Sequence, residues 1–108
     1  MDEQLYEQSS IIEFSGELGI RDIDDVHSRL TKALQAESVL VAVIDEHARV
    51  DLSFVQLFES ARRTASASGG SFSLAAPAKG DLLDVLQRGG FVRSRDGRAF
   101  WLNESECP

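Results

Sequence analysis

Few residues of this 108-residue chain have both the type and the spacing that enzyme chemistry requires. His27 and His47 stand alone, without a second histidine or cysteine at the spacing of a metal site. The chain has neither a Gly-x-x-x-x-Gly-Lys phosphate loop nor a Gly-x-Gly-x-x-Gly turn. Cys107 is the only cysteine, so an internal disulfide is excluded. We therefore predict that the protein is not an enzyme and uses no metal and no cofactor.

One short segment does have functional promise: Asp51-Leu52-Ser53-Phe54 opens a predicted helix. Asp51 is a good N-cap residue, and Ser53 would be the second residue of the helix. A hydroxyl there is surrounded by backbone amides that lack helical partners, and a phosphoryl group would be tolerated at that positive end. Ser53 is therefore a candidate phosphoacceptor. The alternative is that Ser53 only assists the helix cap.

The same helix start is the predicted partner-binding surface. Leu52 lies about opposite the centre of the apolar stripe of its helix, so packing in the core does not explain it. An apolar side chain among polar ones is a plausible anchor for a protein partner. We call this predicted site the helix-tip surface; it consists of Arg49, Asp51, Leu52, Ser53 and Gln56.

Alternating strand and helix patterns surround this segment. Val39–Ile44 is apolar throughout and rich in β-branched residues, which predicts a central strand that is covered on both faces. Asp45 and Glu46 follow it and are interpreted as structural loop carboxylates. The remaining predicted elements are a short partner strand at 5–7, a strand at 11–18, a helix capped by Asp22 with Asp25 as in a capping box, a helix at 52–66, a strand at 71–75 and a helix at 80–88.

Asp96-Gly97 lies between two apolar segments near the C-terminus and predicts a hairpin turn. Arg88, Arg93, Arg95 and Arg98 cluster there; they either hold a phosphate or acidic partner or, as we prefer, form a solvated hairpin face. The order is then β-β-α-β-α-β-α plus a terminal hairpin or strand. We predict a single α/β domain over residues 1–108 with a mainly parallel sheet, a core at about 5–92 and a tail at 93–108.

The charge and the N-terminus restrict the partners and the compartment. The net charge is −7 and the sequence pI about 4.7, so phosphate backbones and anionic membranes repel the chain. Met1-Asp2-Glu3-Gln4 lacks the features of a signal peptide, and the longest apolar run is too short to span a bilayer. We predict a cytoplasmic protein that binds no nucleic acid and does not insert into membranes.

Taken together, several segments resemble the STAS family, named from sulfate transporters and anti-sigma factor antagonists. The resemblance covers roughly residues 5–92. Its landmarks are Phe14-Ser15-Gly16-Glu17-Leu18 in an early strand, the apolar strand from Val39 to Asp45, Val50 to Phe58 opening a helix that continues through Ala61 to Ala65, and Gly90-Phe91 after the last helix.

The resemblance implies a STAS-like fold and a protein that docks onto other proteins. In anti-sigma factor antagonists the matching helix opens with Asp-Ser-Ser/Thr-Gly, and an anti-sigma factor that is also a serine kinase of ATPase fold phosphorylates the second hydroxyl residue. That residue corresponds to Ser53, whereas Leu52 and Phe54 replace the first serine and the glycine. With these two replacements, the segment from Asp51 to Leu57 resembles that of stand-alone STAS proteins. The alternative function is therefore a subunit that regulates a lipid ABC transporter or a chemotaxis-type signalling complex.

Overall fold

The computed structural model describes residues 10–103, which form an α/β domain with a three-stranded parallel sheet, a second pair of short parallel strands and four helices. The predicted partner strand at 5–7 and Cys107 in the tail lie outside the described residues. A single 3-10 turn, Ile20–Asp22, precedes the first helix. The elements are β1 (Ser10–Phe14), β2 (Glu17–Leu18), α1 (Ile23–Ala36), β3 (Val39–Ile44), β4 (Arg49–Val50), α2 (Leu52–Ala67), β5 (Ser71–Leu74), α3 (Gly80–Gly89) and α4 (Arg95–Leu102).

The predicted central strand is confirmed. The strand order is β1-β3-β5, and both neighbours pair with β3 in parallel. Parallel neighbours need crossover connections, which α1 and α2 supply. The sheet therefore orients both helices with their N-termini towards the edge where the strands end, and the helix-tip surface lies at that edge.

The prediction that β3 is covered on both faces is wrong for the described residues. The order β1-β3-β5 advances in one direction across the sheet, so right-handed crossovers place α1 and α2 on the same face. Burial in β5 agrees, since Phe72 and Leu74 are buried while the two serines between and before them are exposed. On the opposite face Ile11 is 66% exposed and Val39 is 36% exposed. A continuous apolar run predicts a central strand better than it predicts the number of layers around it.

The core lies between the sheet and α2 and is built mainly from aromatic rings. Phe54 and Phe58 stack with their centroids 4.5 Å apart, and Phe14 meets both rings edge-on. Phe58 also stacks on Trp101 at 5.9 Å and contacts Phe72 at 5.4 Å. Phe58 contacts β1, β5 and α4 through these rings. These contacts set the position and rotation of α2 on the sheet, and therefore also the position of its first turn.

The first predicted strand is divided in two. Gly16 has φ +79°, a left-handed conformation that breaks an extended strand, so β1 ends at Phe14 and Glu17–Leu18 forms β2. β2 pairs with β4, which occupies the end of the predicted polar loop. The N–H of Arg49 donates to the carbonyl of Gly16 at 2.8 Å. This small pairing brings the 16–20 segment next to the start of α2.

The two predicted helix caps have different outcomes. Asp22 stands at the N-cap position of α1, but its side chain makes no capping hydrogen bond, so the predicted capping box is wrong. The reason is the preceding 3-10 turn, which leaves Asp22 at φ −106° and ψ 5° and not in the extended conformation of a capping residue. Asp51, by contrast, is extended and caps α2 as predicted.

The predicted C-terminal hairpin is also wrong, because residues 95–102 form the helix α4. Ser94 caps this helix, and its hydroxyl accepts the N–H of Gly97 at 3.0 Å. Phe100 and Trp101 are buried on one side of the helix. An Asp-Gly pair fits a two-residue hairpin turn, but it also fits the first turn of a helix when a serine cap precedes it.

Candidate functional site

Asp51 organises the start of α2 through both oxygens of its carboxylate. Oδ1 accepts the N–H of Ser53 at 3.1 Å and the hydroxyl of Ser53 at 2.5 Å. Oδ2 accepts the N–H of Ile20 at 2.9 Å, from a residue 31 positions earlier in the chain. The Ser53 hydroxyl, together with the backbone N–H groups of Ile20, Ser53 and Phe54, lowers the pKa of Asp51, although partial burial acts in the opposite direction. The carboxylate is therefore ionised at neutral pH and holds two segments together.

The hydroxyl of Ser53 donates a hydrogen bond to the carboxylate of Asp51. Its side chain is half-buried in the first turn of α2, where backbone amides favour negative charge. Its hydrogen-bond partner is a carboxylate with a lowered pKa, which makes a weak general base at neutral pH.

The structure brings the five residues of the helix-tip surface together. Asp51 and Ser53 are half-buried, whereas Leu52 is 46% exposed, as its position on the helical wheel predicts. Gln56 is exposed one turn further on, on the same side of α2 as Leu52. Arg49 is exposed in β4, directly before the cap. Of the five residues, Asp51 and Ser53 are in direct contact, and Arg49, Leu52 and Gln56 are exposed in the adjoining strand and first helical turns.

Sequence reasoning missed two residues at this site, Gly19 and Ile20. Ile20 is 65% exposed although it is large and apolar, and its N–H binds Asp51. A Cβ atom at Gly19 would lie only 2.9 Å from Oδ2 of Asp51, so a side chain there would displace the carboxylate from its present position. The sequence marks Ile20 only by its position three residues before Ile23, where the apolar stripe of α1 begins. The same spacing would also be found if α1 simply began earlier, so it does not indicate a functional residue.

A second polar cluster lies on α2, and it is buried. The helical spacing of the sequence predicts Glu59 on the solvent face of α2, but it is only 6% exposed. Its Oε2 accepts the indole N–H of Trp101 at 2.7 Å, and its Oε1 contacts Nη2 of Arg62 at 2.8 Å and of Arg63 at 3.6 Å. The guanidinium of Arg62 also lies 5.7 Å from the ring centroid of Phe100. The prediction failed because α4 covers this side of α2.

The carboxyl ends of β3 and β5, where α/β proteins commonly bind ligands, border a cleft of about 260 Å³. Asp45 and Glu46 are exposed there, and Glu46 contacts Lys79 at 4.0 Å and His47 at 3.4 Å. Among the strands of residues 10–103, the order β1-β3-β5 has no reversal that would open a deep crevice at this edge. These contacts are compatible with the predicted structural role of both carboxylates.

The arginines near the C-terminus belong to helices and to the link between them, not to a hairpin face. Arg88 pairs with Asp84 one turn earlier in α3, and this contact raises the pKa of the arginine. Nη1 of Arg98 donates to the carbonyl of Arg93 at 2.6 Å. Within residues 10–103, no three histidine, cysteine, aspartate or glutamate side chains are grouped as metal ligands. No helix of that part of the chain is long and apolar enough to cross a membrane.

Comparison of the chain with family models, characterised proteins and solved structures found no significant match. The functional argument therefore rests on the geometry of the helix tip and on the sequence resemblance described above.

Proposed function

We propose that the protein is a STAS-like regulatory module without catalytic activity, and that it binds a protein partner through the helix-tip surface. The observation that carries this proposal is the juxtaposition of Leu52 and Ser53. Leu52 is exposed on a rigid helix, and the neighbouring hydroxyl is half-buried and held by a carboxylate. Charge added to that hydroxyl would disrupt an apolar contact at Leu52 while it costs the helix little.

The proposed partner is an anti-sigma factor that is also a serine kinase of ATPase fold, acting in the cytoplasm. The kinase would transfer the terminal phosphoryl group of a nucleoside triphosphate to Oγ of Ser53. An Oγ–P bond forms as the bond between the β-phosphate oxygen and the γ-phosphorus breaks, and the nucleoside diphosphate leaves. The hydroxyl proton, which Asp51 Oδ1 now accepts, passes to a base on the kinase. The modified protein then releases its partner.

Phe54 favours the second candidate function, a subunit that regulates a lipid ABC transporter or a chemotaxis-type complex. The corresponding residue of the antagonist motif is glycine, whereas Phe54 is fully buried and stacks on Phe58. The ring of Phe54 is therefore part of the core. Phe54 and Leu52 together make the start of α2 more apolar than the corresponding helix start in the antagonist motif. In this case Leu52 is still the anchor, but Ser53 supports the cap and is not modified.

The test uses the anti-sigma serine kinases of ATPase fold from the same genome, purified one by one and titrated calorimetrically with the full-length protein. We expect one kinase to bind the protein and to transfer phosphate from ATP to Ser53. Its affinity for the Leu52→Ala and Ser53→Asp variants should be at least tenfold lower than for the parent. Ser53→Ala should still bind, and Ser60→Asp, an exposed position of the same helix, should bind like the parent. If every kinase fails to bind while a purified transporter ATPase subunit binds through Leu52, the second function is correct.

A further inference from the structure

Two residues with exposed apolar side chains are linked through Asp51. Leu52 follows it in the chain and is 46% exposed, while Ile20, which is 65% exposed, is tied to it by the hydrogen bond to Oδ2. We propose that Ile20 and Leu52 form one two-point docking surface that the Asp51 carboxylate holds together, and that phosphorylation of Ser53 separates the two points. This inference rests on the proposed function and adds to it a second anchor and a mechanism of release.

The connection between the two anchors is rigid because a carboxylate is planar. Oδ1 holds Ser53 and Oδ2 holds Ile20, so a rotation that relieves one side breaks the other. Gly19 has φ −91°, a value that any residue adopts, so backbone conformation does not demand glycine there. Glycine matters at this position because an added Cβ atom would lie 2.9 Å from Oδ2 of Asp51 and would push the carboxylate away. The glycine thus leaves the room that this connection requires.

A phosphoryl group on Ser53 would break the connection for two reasons. Once Oγ is esterified it has no proton, so the 2.5 Å hydrogen bond to Oδ1 is lost. The phosphate also adds nearly two negative charges next to an ionised carboxylate and competes with it for the amides at the helix N-terminus. The side chain of Asp51 must then turn away, and its bond to the N–H of Ile20 breaks with it. The 19–20 segment is released from α2.

The charges around the two anchors indicate the chemistry of the partner. Arg21 and Arg49 are the nearby bases, and the acids outnumber them, since the first turn of α1 adds exposed carboxylates to Asp51. The exposed acids of this rim are Glu17, Asp22, Asp24 and Asp25. The surface therefore fits a folded protein with an apolar depression that is edged by lysine or arginine side chains.

The first experiment needs no partner. The full-length protein is labelled with ¹⁵N and produced with phosphoserine incorporated at position 53, and the Ile20 amide is followed by NMR. We expect an upfield shift of its proton and roughly tenfold faster hydrogen exchange, equivalent to about 1.4 kcal/mol. The amide of Phe72 in the sheet is the internal control and should not change. An unchanged Ile20 amide would refute the connection even if the kinase releases phosphorylated protein.

Gly19→Ala breaks the connection without adding charge and without altering Asp51, Leu52 or Ser53. We expect its Ile20 amide to shift in the same direction as in the phosphorylated protein. Affinity for the kinase identified above should fall about threefold to tenfold, because the anchors are no longer held at a fixed distance. A Gly19→Ala protein with a parental Ile20 amide would show that Asp51 does not hold this segment.

The second anchor is tested by Ile20→Ala, with Ile11→Ala as a matched control. Ile20 is 65% exposed and Ile11 is 66% exposed. Ile11, however, lies on the face of the sheet opposite α1 and α2, away from the helix-tip surface. Calorimetric titration with the kinase should show a loss of about tenfold or more for Ile20→Ala and no loss for Ile11→Ala. If both bind like the parent while Leu52→Ala does not, the proposed function stands and the two-point surface is wrong. If all three bind like the parent, the helix tip is not the docking site.

Discussion

Two carboxylates on α2 make similar contacts in opposite surroundings. Asp51 at the N-terminus and Glu59 two turns later each use both oxygens, and each reaches a distant segment, Ile20 in one case and Trp101 in the other. Asp51 lies among exposed apolar side chains, whereas Glu59 is 6% exposed. The two carboxylates therefore have similar hydrogen bonding and differ in the exposure of the side chains around them.

The difference also predicts which cluster can be switched. Breaking the contacts of Glu59 would leave the indole N–H of Trp101 without a partner inside the core, which is costly. Breaking those of Asp51 frees one hydroxyl and two backbone N–H groups in exposed or partly buried positions. Modification of the tip is therefore compatible with a folded domain, and modification at the buried cluster is not.

Trp101→Ala should lower the free energy of unfolding most, by about 3–5 kcal/mol, since a fully buried indole is replaced by a cavity and α4 loses its main contact with α2. Urea unfolding followed by far-UV circular dichroism measures the loss, because Trp101 is the only tryptophan and fluorescence disappears with it. Trp101→Phe provides a graded value if the alanine variant does not fold. A loss below about 1 kcal/mol would contradict a core position for this side chain.

Glu59→Ala should cost about 1–3 kcal/mol, because the indole N–H of Trp101 remains buried without an acceptor. Glu59→Gln is the matched variant: it retains an acceptor for the indole and removes only the ion pairs with Arg62 and Arg63, so its cost should be smaller. The same urea titrations measure both variants. Equal losses for the two would mean that the ion pairs, and not the indole hydrogen bond, are the stabilising contacts.

Asp51→Ala should cost about 1 kcal/mol at neutral pH through the lost helix cap. The folded state lowers the pKa of this carboxyl below its ordinary value of 3.8, so its stabilisation is present above that value and is lost as the pH falls through the folded value. Melting temperatures over a pH series should therefore show a gap between Asp51→Asn and the parent that narrows at acidic pH. A gap that widens on acidification would contradict the lowered pKa.

Leu52→Ala should change stability least, within about 0.5 kcal/mol, because an exposed side chain contributes little to the core. Leu86→Ala is the control, since the same substitution at a fully buried position should cost about 2–5 kcal/mol. Thermal melts of the two variants in parallel give the comparison. A large loss at Leu52 would mean that this residue supports the fold and is not left free for a partner.

Much of this architecture followed from local patterns. The β-branched run at 39–44 predicted the central strand, and the apolar spacing after Asp51 predicted α2 and left Leu52 outside the core. Both features depend on periodicity and capping within about one helix length, which a sequence displays directly. The cap at Asp51, the exposure of Leu52 and the position of Ser53 could therefore be predicted from the sequence alone.

Contacts between distant segments decided the remainder. Glu59 has the spacing of a solvent-facing residue, and only the placement of α4 against α2 buries it. Ile20 has no local mark of a functional residue, and only the fold brings its N–H to Asp51. Nor does an apolar strand show whether one or both of its faces are covered, since that depends on the order of the strands and on the handedness of the crossovers. A sequence encodes the periodicity of each element, but burial and long-range hydrogen bonds arise only when the elements pack.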